Sequence, residues 1–385
     1  MGLVNVPARV SGVVLCLFSL LGTRADHLKS SEAPDPLWSR DVIEYLSGLR
    51  NGHARDWAKT EPPGITFLDN SRLIVYETDP NEQLASRISA DISSSHTLHM
   101  SVLDSGSGKL LVAKDWPTRA HGSYCLVTSG GILIRTGEIL RICSRDLVQI
   151  REVSLSSSKG YERWELRVSA SGRTLLIQHN TQSSTRLEVL DGSTFEVRQT
   201  WAEPTFFQVP SSISDDEMIE PTYEKRRLGV SIAKFGTADW KPIWWMPLPK
   251  TCGNTPWFVT NDLVMFGCTE VVLFTKEGKV LMTESLNKND YLMMDMISPY
   301  FSAAPSENGE FAAVPVSHIR GIALDMSRDT AQQVMVYNLL RRMRVLTVNV
   351  TPLTKMHYSI AMSPDGSKLA ILNDKQVSVY SVPTN

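Results

Sequence analysis

Three groups of residues in this chain have the types that catalytic and metal sites use. The first is the segment His96-Thr97-Leu98-His99, in which two imidazoles stand three residues apart. That spacing would suit a metal ion on a helix, but the surrounding residues indicate a strand, where side chains three apart point to opposite faces. We therefore predict no metal site here, and no other cofactor-binding pattern occurs in the chain.

The second group is Asp215, Asp216 and Glu217, whose carboxylates are of the type that binds Ca²⁺. The chain has no Asp-x-Asp-x-Asp-Gly loop around them, and they stand between two short apolar runs. A short group of acidic residues in that position is typical of a hairpin turn. We interpret the group as a turn rather than as a metal site.

The third group consists of Cys125, Cys143, Cys252 and Cys268, none of which has the spacing of a zinc ligand. Four cysteines permit three pairings. Cys252 and Cys268 bracket a predicted hairpin, so their strands should be adjacent, as the short Cα separation of a disulfide requires; we predict a Cys252–Cys268 disulfide. Cys125 and Cys143 fall on the first and third strands of one repeat, which predicts that they do not pair with each other.

The chain contains no linear motif of a known enzyme class. There is no Gly-x-Ser-x-Gly elbow, no phosphate-binding Gly-x-x-x-x-Gly-Lys loop and no His-Glu-x-x-His segment. No catalytic residue can therefore be named from spacing. Repeat folds can assemble a site from residues of several repeats, so an enzyme remains an alternative.

The N-terminus has the pattern of a secretory signal peptide over residues 1–25. Residues 10–22 form an uncharged apolar run, and Thr23 and Ala25 are small residues at the −3 and −1 positions of a cleavage site. The run is too short for a membrane span, and no later segment is apolar enough for one. We expect a secreted or periplasmic protein, cleaved near Ala25. The net charge of −2 is distributed along the chain, so no nucleic-acid partner is expected.

A turn motif recurs along the rest of the 385 residues. Near the C-terminus, in "SPDGSKLAILNDKQVSVYSV", Gly366 stands in a turn between two short apolar runs. Turns rich in Gly, Asn and Asp interrupt apolar runs at intervals of about 40 to 60 residues, the period of four-stranded propeller blades. The other turns contain Asn70, Gly130, Gly172, Asp216, Asn261 and Gly309.

Each copy is followed by further hairpin-linked strands, which predicts an all-β, seven-bladed β-propeller of four-stranded antiparallel blades. Through "SPDGSKLAILNDKQVSVYSV" and "VLDSGSGKLL" the chain resembles the WD40-like and quinoprotein-like propeller repeats, as an exported bacterial member would. No copy ends in the Trp-Asp pair of WD40 repeats. The segment that is most similar to the quinone-binding repeat, residues 102–109, is not followed by the tryptophan of that repeat, so the resemblance does not imply a bound quinone.

A closed ring needs a strand beside the last copy. We predict that residues 54–60 supply it next to residues 376–382, because "ARDWAKT" is similar to the fourth strands of other copies and an unpaired edge would invite aggregation. The propeller then covers residues 54–385. Residues 26–53 precede it as an extension, either a short helix or an extended arm.

A propeller of this kind serves as a scaffold, a receptor or an enzyme. We expect a monomeric scaffold that binds a protein or an envelope component. The alternatives are a hydrolase or lyase with its site at the central channel, and a structural or sensor module. Two long second-to-third-strand loops, residues 81–97 and 317–333, are predicted to form the binding site on the face opposite the recurring turns.

Overall fold

The architecture is taken from a computed structural model of the chain. It describes residues 34–41, 64–78, 95–119, 124–136, 139–154, 163–180, 184–203, 212–224, 227–237, 241–247, 256–267, 270–286, 290–292, 303–319, 329–353, 359–373 and 376–384.

The described residues form seven antiparallel sheets, the blades of one β-propeller. Strand β1 (Trp38–Asp41) comes first in the chain and belongs to the last blade. The first three blades are β2 (Gly64–Phe67), β3 (Arg72–Thr78), β4 (Ser95–Asp104) and β5 (Leu110–Arg119); β6 (Tyr124–Thr128), β7 (Gly131–Thr136), β8 (Ile139–Cys143) and β9 (Gln149–Ser154); and β10 (Arg163–Val168), β11 (Thr174–Asn180), β12 (Thr185–Asp191) and β13 (Val197–Glu203).

The next two blades are β14 (Ser212–Ile213), β15 (Glu217–Glu224), β16 (Arg227–Lys234) and β17 (Lys241–Pro247), and β18 (Trp257–Phe258), β19 (Leu263–Gly267), β20 (Glu270–Thr275) and β21 (Val280–Ser285). The sixth is β22 (Asp290–Leu292), β23 (Ala304–Pro305), β24 (Phe311–Ile319), β25 (Asp329–Asn338) and β26 (Met343–Asn349). The seventh is β27 (Ser359–Met362), β28 (Lys368–Leu372) and β29 (Gln376–Ser381), completed by β1. In the sixth blade both β22 and β23 pair with β24, so the innermost position is shared by two short strands. The predicted seven-bladed fold is confirmed.

The hydrophobic core lies between neighbouring blades. Middle strands are buried on both faces, as in β20, whereas outer strands such as β21 alternate between exposed and half-buried residues. Phe311 of the sixth blade packs in one cluster with Met362 and Leu369 of the seventh. Each blade thus completes the core of the next, which is why the ring must close.

The closing strand differs from the predicted one. Strand β1 pairs antiparallel with β29, with Trp38 opposite Val379 and Asp41 opposite Gln376. The N-terminal segment in the seventh blade is therefore Trp38–Asp41 rather than residues 54–60, which lie outside the described residues. Trp38 explains why this segment closes the ring. Its ring packs against Gly108, and its indole N–H donates a hydrogen bond to the carbonyl of Ser105, 2.8 Å away in the first blade.

Several other predictions fall on residues that the structure does not describe. These are the signal peptide, the helix or arm around residues 42–53, and the Cys252–Cys268 disulfide. The two long loops are described only at the ends that belong to β4, β24 and β25. Within the described part of the chain, no helix has the length and hydropathy that a membrane crossing needs.

Cys125 and Cys143 both lie in the second blade as free, buried thiols. They occupy β6 and β8, the first and third strands, with β7 between them. The predicted placement of these two residues is therefore confirmed.

Candidate functional site

The recurring turns between the first and second strands of the blades lie on one face of the disc, which we call the turn face. In the seventh blade the turn is closed by its own side chains. The Ser363 hydroxyl donates a hydrogen bond to the Asp365 carboxylate at 2.7 Å, and the same carboxylate accepts one from the backbone N–H of Ser367 at 3.0 Å. The backbone N–H of Lys368 donates back to the Ser363 hydroxyl at 2.9 Å. This is the mechanism by which Asp and Ser favour turns.

The sixth blade repeats the arrangement with different residues. The Ser306 hydroxyl donates to the Asn308 side-chain carbonyl at 2.6 Å, and the Phe311 backbone N–H donates to the Ser306 hydroxyl at 3.0 Å. The turns of the sixth and seventh blades therefore share one unit, a serine followed two residues later by Asp or Asn and then by Gly.

In six of the seven blades, a second set of hydrogen bonds ties the inner turn to the outer turn of the same blade, between the third and fourth strands. In each case an inner-turn carbonyl accepts from a backbone N–H that follows the third strand. The pairs, carbonyl first, are Ser71 and Ser105, Arg173 and Gly192, Asp216 and Phe235, Asp262 and Lys276, Glu310 and Leu339, and Ser367 and Val382.

Further hydrogen bonds join the inner turns of neighbouring blades. The backbone N–H of Asp365 donates to the Asn70 side-chain carbonyl at 3.0 Å, which connects the seventh blade to the first. The backbone N–H of Asn308 donates to the carbonyl of Pro364 at 3.0 Å, which connects the sixth to the seventh. Because these bonds run from blade to blade, the turn face is a rigid platform rather than a set of independent loops.

Among the inner-turn carboxylates, Asp215 forms side-chain hydrogen bonds to both neighbouring blades. Its Oδ1 accepts a hydrogen bond from the Ser171 hydroxyl at 2.7 Å, and its Oδ2 accepts one from the Asn261 amide at 2.6 Å and lies 2.9 Å from the Arg173 guanidinium. It therefore links the third, fourth and fifth blades. Of the group predicted to be a turn, Asp215 and Asp216 form the turn and Glu217 begins β15; Asp215 is the residue that connects the turn to other blades.

The environment of Asp215 lowers its pKa. Burial alone would raise the pKa, but hydrogen bonds from Ser169, Ser171 and Asn261 outweigh burial. The charge of Arg173 acts in the same direction as these hydrogen bonds. The folded-state pKa therefore lies below the ordinary value of 3.8. A carboxylate with a lowered pKa stabilises the fold above its unfolded-state pKa, and this contribution is lost as the pH falls through the folded-state value.

Replacing Asp215 with alanine is expected to lower the free energy of unfolding by about 2 kcal/mol at neutral pH, because buried donors lose their acceptor. The loss should become smaller as the pH falls below 3.8, where the native carboxylate itself begins to be protonated. Urea unfolding of both proteins across that range measures the difference. Asp216→Ala, at an exposed neighbour, is the control and should change little. Equal losses at the two positions would contradict the role assigned to Asp215.

The inner turns carry an excess of negative charge. Their described residues include seven carboxylates and one cation, Arg173. Asp69 and Asp215 are half-buried and are engaged in their turns. The five carboxylates that belong to exposed residues form what we call the acidic rim: Asp216, Asp262, Glu307, Glu310 and Asp365, the last of which is also bonded within its own turn.

The acidic rim extends over the turns of the fourth to seventh blades, and one of its residues, Glu307, lines a cavity along the propeller axis. The cavity has a volume of about 280 Å³ and is lined by an innermost strand from each of the seven blades. Its charged lining residues are Arg167, whose guanidinium lies 3.4 Å from Glu165, and Glu307 of the rim. Cys125 also lines it, but burial raises the pKa of this thiol far above its usual range, so the reactive thiolate is not available at neutral pH.

The histidines weighed in the sequence, His96 and His99, are both on a strand, as the surrounding residues predicted. Both residues lie in β4, and the His99 ring nitrogen Nδ1 lies 2.8 Å from the Asp115 carboxylate of β5, at the outer part of the first blade. Within the described residues, no group of three or more His, Cys, Asp or Glu is arranged to hold a metal ion.

Sequence reasoning located the inner turns but missed the acidic rim. The sequence contains a pattern that indicates the rim, because an Asp or Glu occurs in most of the aligned turns, although not always at the same position of the turn. Superimposing the seven turns before reading their charges would have found it.

Comparison with known proteins defines the fold. No protein-family model matches the chain, and no curated protein matches it. Among solved structures, the chain is similar to the WD40 domain of Neurospora crassa Pan2, with a TM-score of 0.51 and 13% sequence identity over 92% of this chain and 98% of that domain. At that identity the similarity shows the fold alone, which is that of a WD40-like β-propeller.

Proposed function

We propose that this protein is an exported interaction scaffold, which binds a basic segment of a protein or envelope component on the acidic rim of its turn face. The observation that carries the proposal is the network of hydrogen bonds between blades, which holds the inner turns in place. A surface that is ordered before binding loses less conformational entropy when the partner arrives. The signal-peptide pattern of residues 1–25 is the ground for export.

The charges of the rim indicate the class of partner. Asp216 and Glu307 are exposed and have no ion pair within the described residues, so their carboxylates are available to lysine and arginine side chains. Complementary charge of this kind accelerates association and sets specificity, and salt weakens it. Glu307 also lines the cavity, whose volume of about 280 Å³ is sufficient for the end of one long side chain.

The test is capture of partners from the envelope fraction of the native host. Reversing two rim charges, with Asp216→Lys and Glu307→Lys together, is expected to weaken retention of the main partner by about tenfold or more. The matched control is Glu196→Lys with Glu277→Lys, the same charge change at exposed outer-turn residues. Quantitative mass spectrometry at two salt concentrations provides the measurement. Equal retention by the two folded variants would show that the acidic rim is not the site.

A further inference from the structure

The cavity along the propeller axis has the size and lining of a site for a small molecule. Its volume of about 280 Å³ lies just below the range of about 300 to 1,000 Å³ that is usual for pockets of drug-sized ligands. Most of its lining residues are apolar, and the larger ones include Phe67, Val127, Trp257, Phe258 and Met362. The cavity therefore favours a ligand that is smaller than a drug molecule and has an apolar part.

The lining contains one charge of each sign, at different depths. The Arg167 side chain is only 14% exposed, whereas Glu307 is exposed to solvent. Arg167 precedes by two residues the serine that opens the inner turn of the third blade, Ser169, and Glu307 follows the corresponding Ser306 of the sixth blade. The two levels are therefore about three strand residues apart, or about 10 Å at most. A ligand with an anionic group toward the interior and a cationic group toward the surface would match both charges.

Arg167 can bind a ligand anion while it keeps its contact with Glu165. Its Nη1 lies 3.4 Å from the Glu165 carboxylate and donates a hydrogen bond to the carbonyl of Leu166 at 2.8 Å. The first of these distances is longer than that of an ordinary hydrogen bond. A guanidinium has five N–H donors and can serve more than one acceptor group. Glu165 itself does not line the cavity, so it does not compete with Glu307 for the cationic end of a ligand.

Trp257 supplies a second donor at the level of Arg167. It precedes by two residues Val259, which opens the inner turn of the fifth blade. Trp257 lines the cavity and is 7% exposed, and its indole Nε1 has no hydrogen-bond partner within the part of the chain that the structure describes. An indole N–H can only donate, and a buried donor normally has a partner in the protein, in water or in a ligand. An acceptor such as a carboxylate oxygen would satisfy it.

We propose that the axial cavity binds a small zwitterion, namely a free α-amino acid with an apolar side chain. The ligand carboxylate pairs with Arg167 and accepts a hydrogen bond from the Trp257 indole, the ammonium pairs with Glu307, and the side chain contacts the apolar lining. Each charge of the ligand thus meets an opposite charge that lines the cavity. This activity is additional to the binding of a basic segment on the acidic rim, although both would use Glu307.

The test is calorimetric titration of the full chain with L-leucine and with three compounds that each lack one of its groups. 4-Methylpentanoate lacks the ammonium, 3-methylbutylamine lacks the carboxylate, and glycine lacks the apolar side chain. We expect each of them to bind at least about tenfold more weakly than leucine, because each loses one set of contacts. Absence of leucine binding, or equal binding by any of the three, would overturn the proposal.

Arg167→Gln locates the carboxylate. It is expected to weaken leucine binding by about tenfold or more and to leave the binding of 3-methylbutylamine unchanged, since that amine has no carboxylate. The matched control is Arg141→Gln, which changes another buried arginine beside a carboxylate, 3.3 Å from Glu152, outside the cavity lining. Circular dichroism confirms that both variants are folded. Equal weakening by the two variants would contradict the role assigned to Arg167.

Trp257→Phe removes the indole N–H but keeps an aromatic ring in the wall. It is expected to weaken leucine binding by roughly threefold to tenfold. Trp116→Phe is the matched control, because the Trp116 Nε1 is also buried without a partner among the described residues but lies in β5, away from the cavity lining. If both changes have the same effect, the Trp257 indole does not contact the ligand.

Glu307→Gln locates the ammonium. It is expected to weaken leucine binding by about tenfold and to leave 4-methylpentanoate binding unchanged, because that acid has no ammonium. Equal weakening of both ligands would contradict the pairing with Glu307. Titration with the dipeptide leucyl-leucine distinguishes a free amino acid from the end of a peptide chain. Tighter binding of the dipeptide than of leucine would overturn the proposed ligand class.

Discussion

Replacement of Trp38 by alanine is expected to lower the free energy of unfolding by about 3 kcal/mol, the lower end of the range for removing a buried aromatic side chain. Trp38 is the only buried residue of β1, and the rest of that strand is exposed. Its ring fills the space above Gly108, and its indole N–H satisfies the Ser105 carbonyl at 2.8 Å. Without it, the seventh blade retains its closing strand through backbone pairing and through the hydrogen bond between the Ser39 and Ser378 hydroxyls at 2.8 Å.

The loss should extend beyond the first blade, because ring closure is shared by all the blades. The Lys368 ammonium donates hydrogen bonds to the carbonyl of Asn70 and the hydroxyl of Ser105, both at 2.8 Å, and loosening the Ser105 turn weakens this link as well. Urea unfolding, followed by tryptophan fluorescence and by circular dichroism, measures the effect. Arg40→Ala changes an exposed residue of the same strand and is the control. If the two variants lose the same free energy of unfolding, Trp38 does not hold the closing strand in place.

The number of blades could be predicted from the sequence, whereas the position of the closing strand could not. The turns repeat because each needs the same few residue types, as Gly366 and Gly309 illustrate with φ angles of 73° and 71°. The segment Trp38–Asp41 contains one buried residue and therefore has no alternation to recognise. Residues 54–60 attracted the prediction because they contain a tryptophan in a setting similar to other fourth strands.

Two features of the structure were hidden from the sequence for different reasons. Asp215 and Asn261 are 46 residues apart, so their pairing depends on the curvature of the ring, which no local pattern contains. A misleading local pattern hid the exposure of a second group, Leu110, Leu111 and Val112. A run of three aliphatic residues resembles a buried strand, yet the run is exposed because β5 is the outer strand of its blade.

Replacement of Gly366 by alanine should be comparably costly, and it tests how one turn restrains the next blade. Gly366 has a φ of 73°, where a Cβ adds strain of about 1 to 2 kcal/mol. A Cβ at this position would also lie 2.3 Å from the Cδ2 atom of Phe311, a fully buried ring of the sixth blade. Overpacking of this kind costs a further 1 to 3 kcal/mol, roughly, so a total of about 3 kcal/mol is expected.

Gly309→Ala is the matched control for Gly366→Ala, because the backbone angle is nearly the same while the added Cβ would meet only the Thr260 methyl group, at 3.0 Å. The difference between the two losses therefore measures the clash with Phe311. A double variant that combines Gly366→Ala with Phe311→Leu should lose less than the sum of the single changes, since the smaller side chain makes room. Urea unfolding of all four variants completes the cycle. Additive losses, or equal losses for the two glycines, would mean that the turn does not bear on the neighbouring blade.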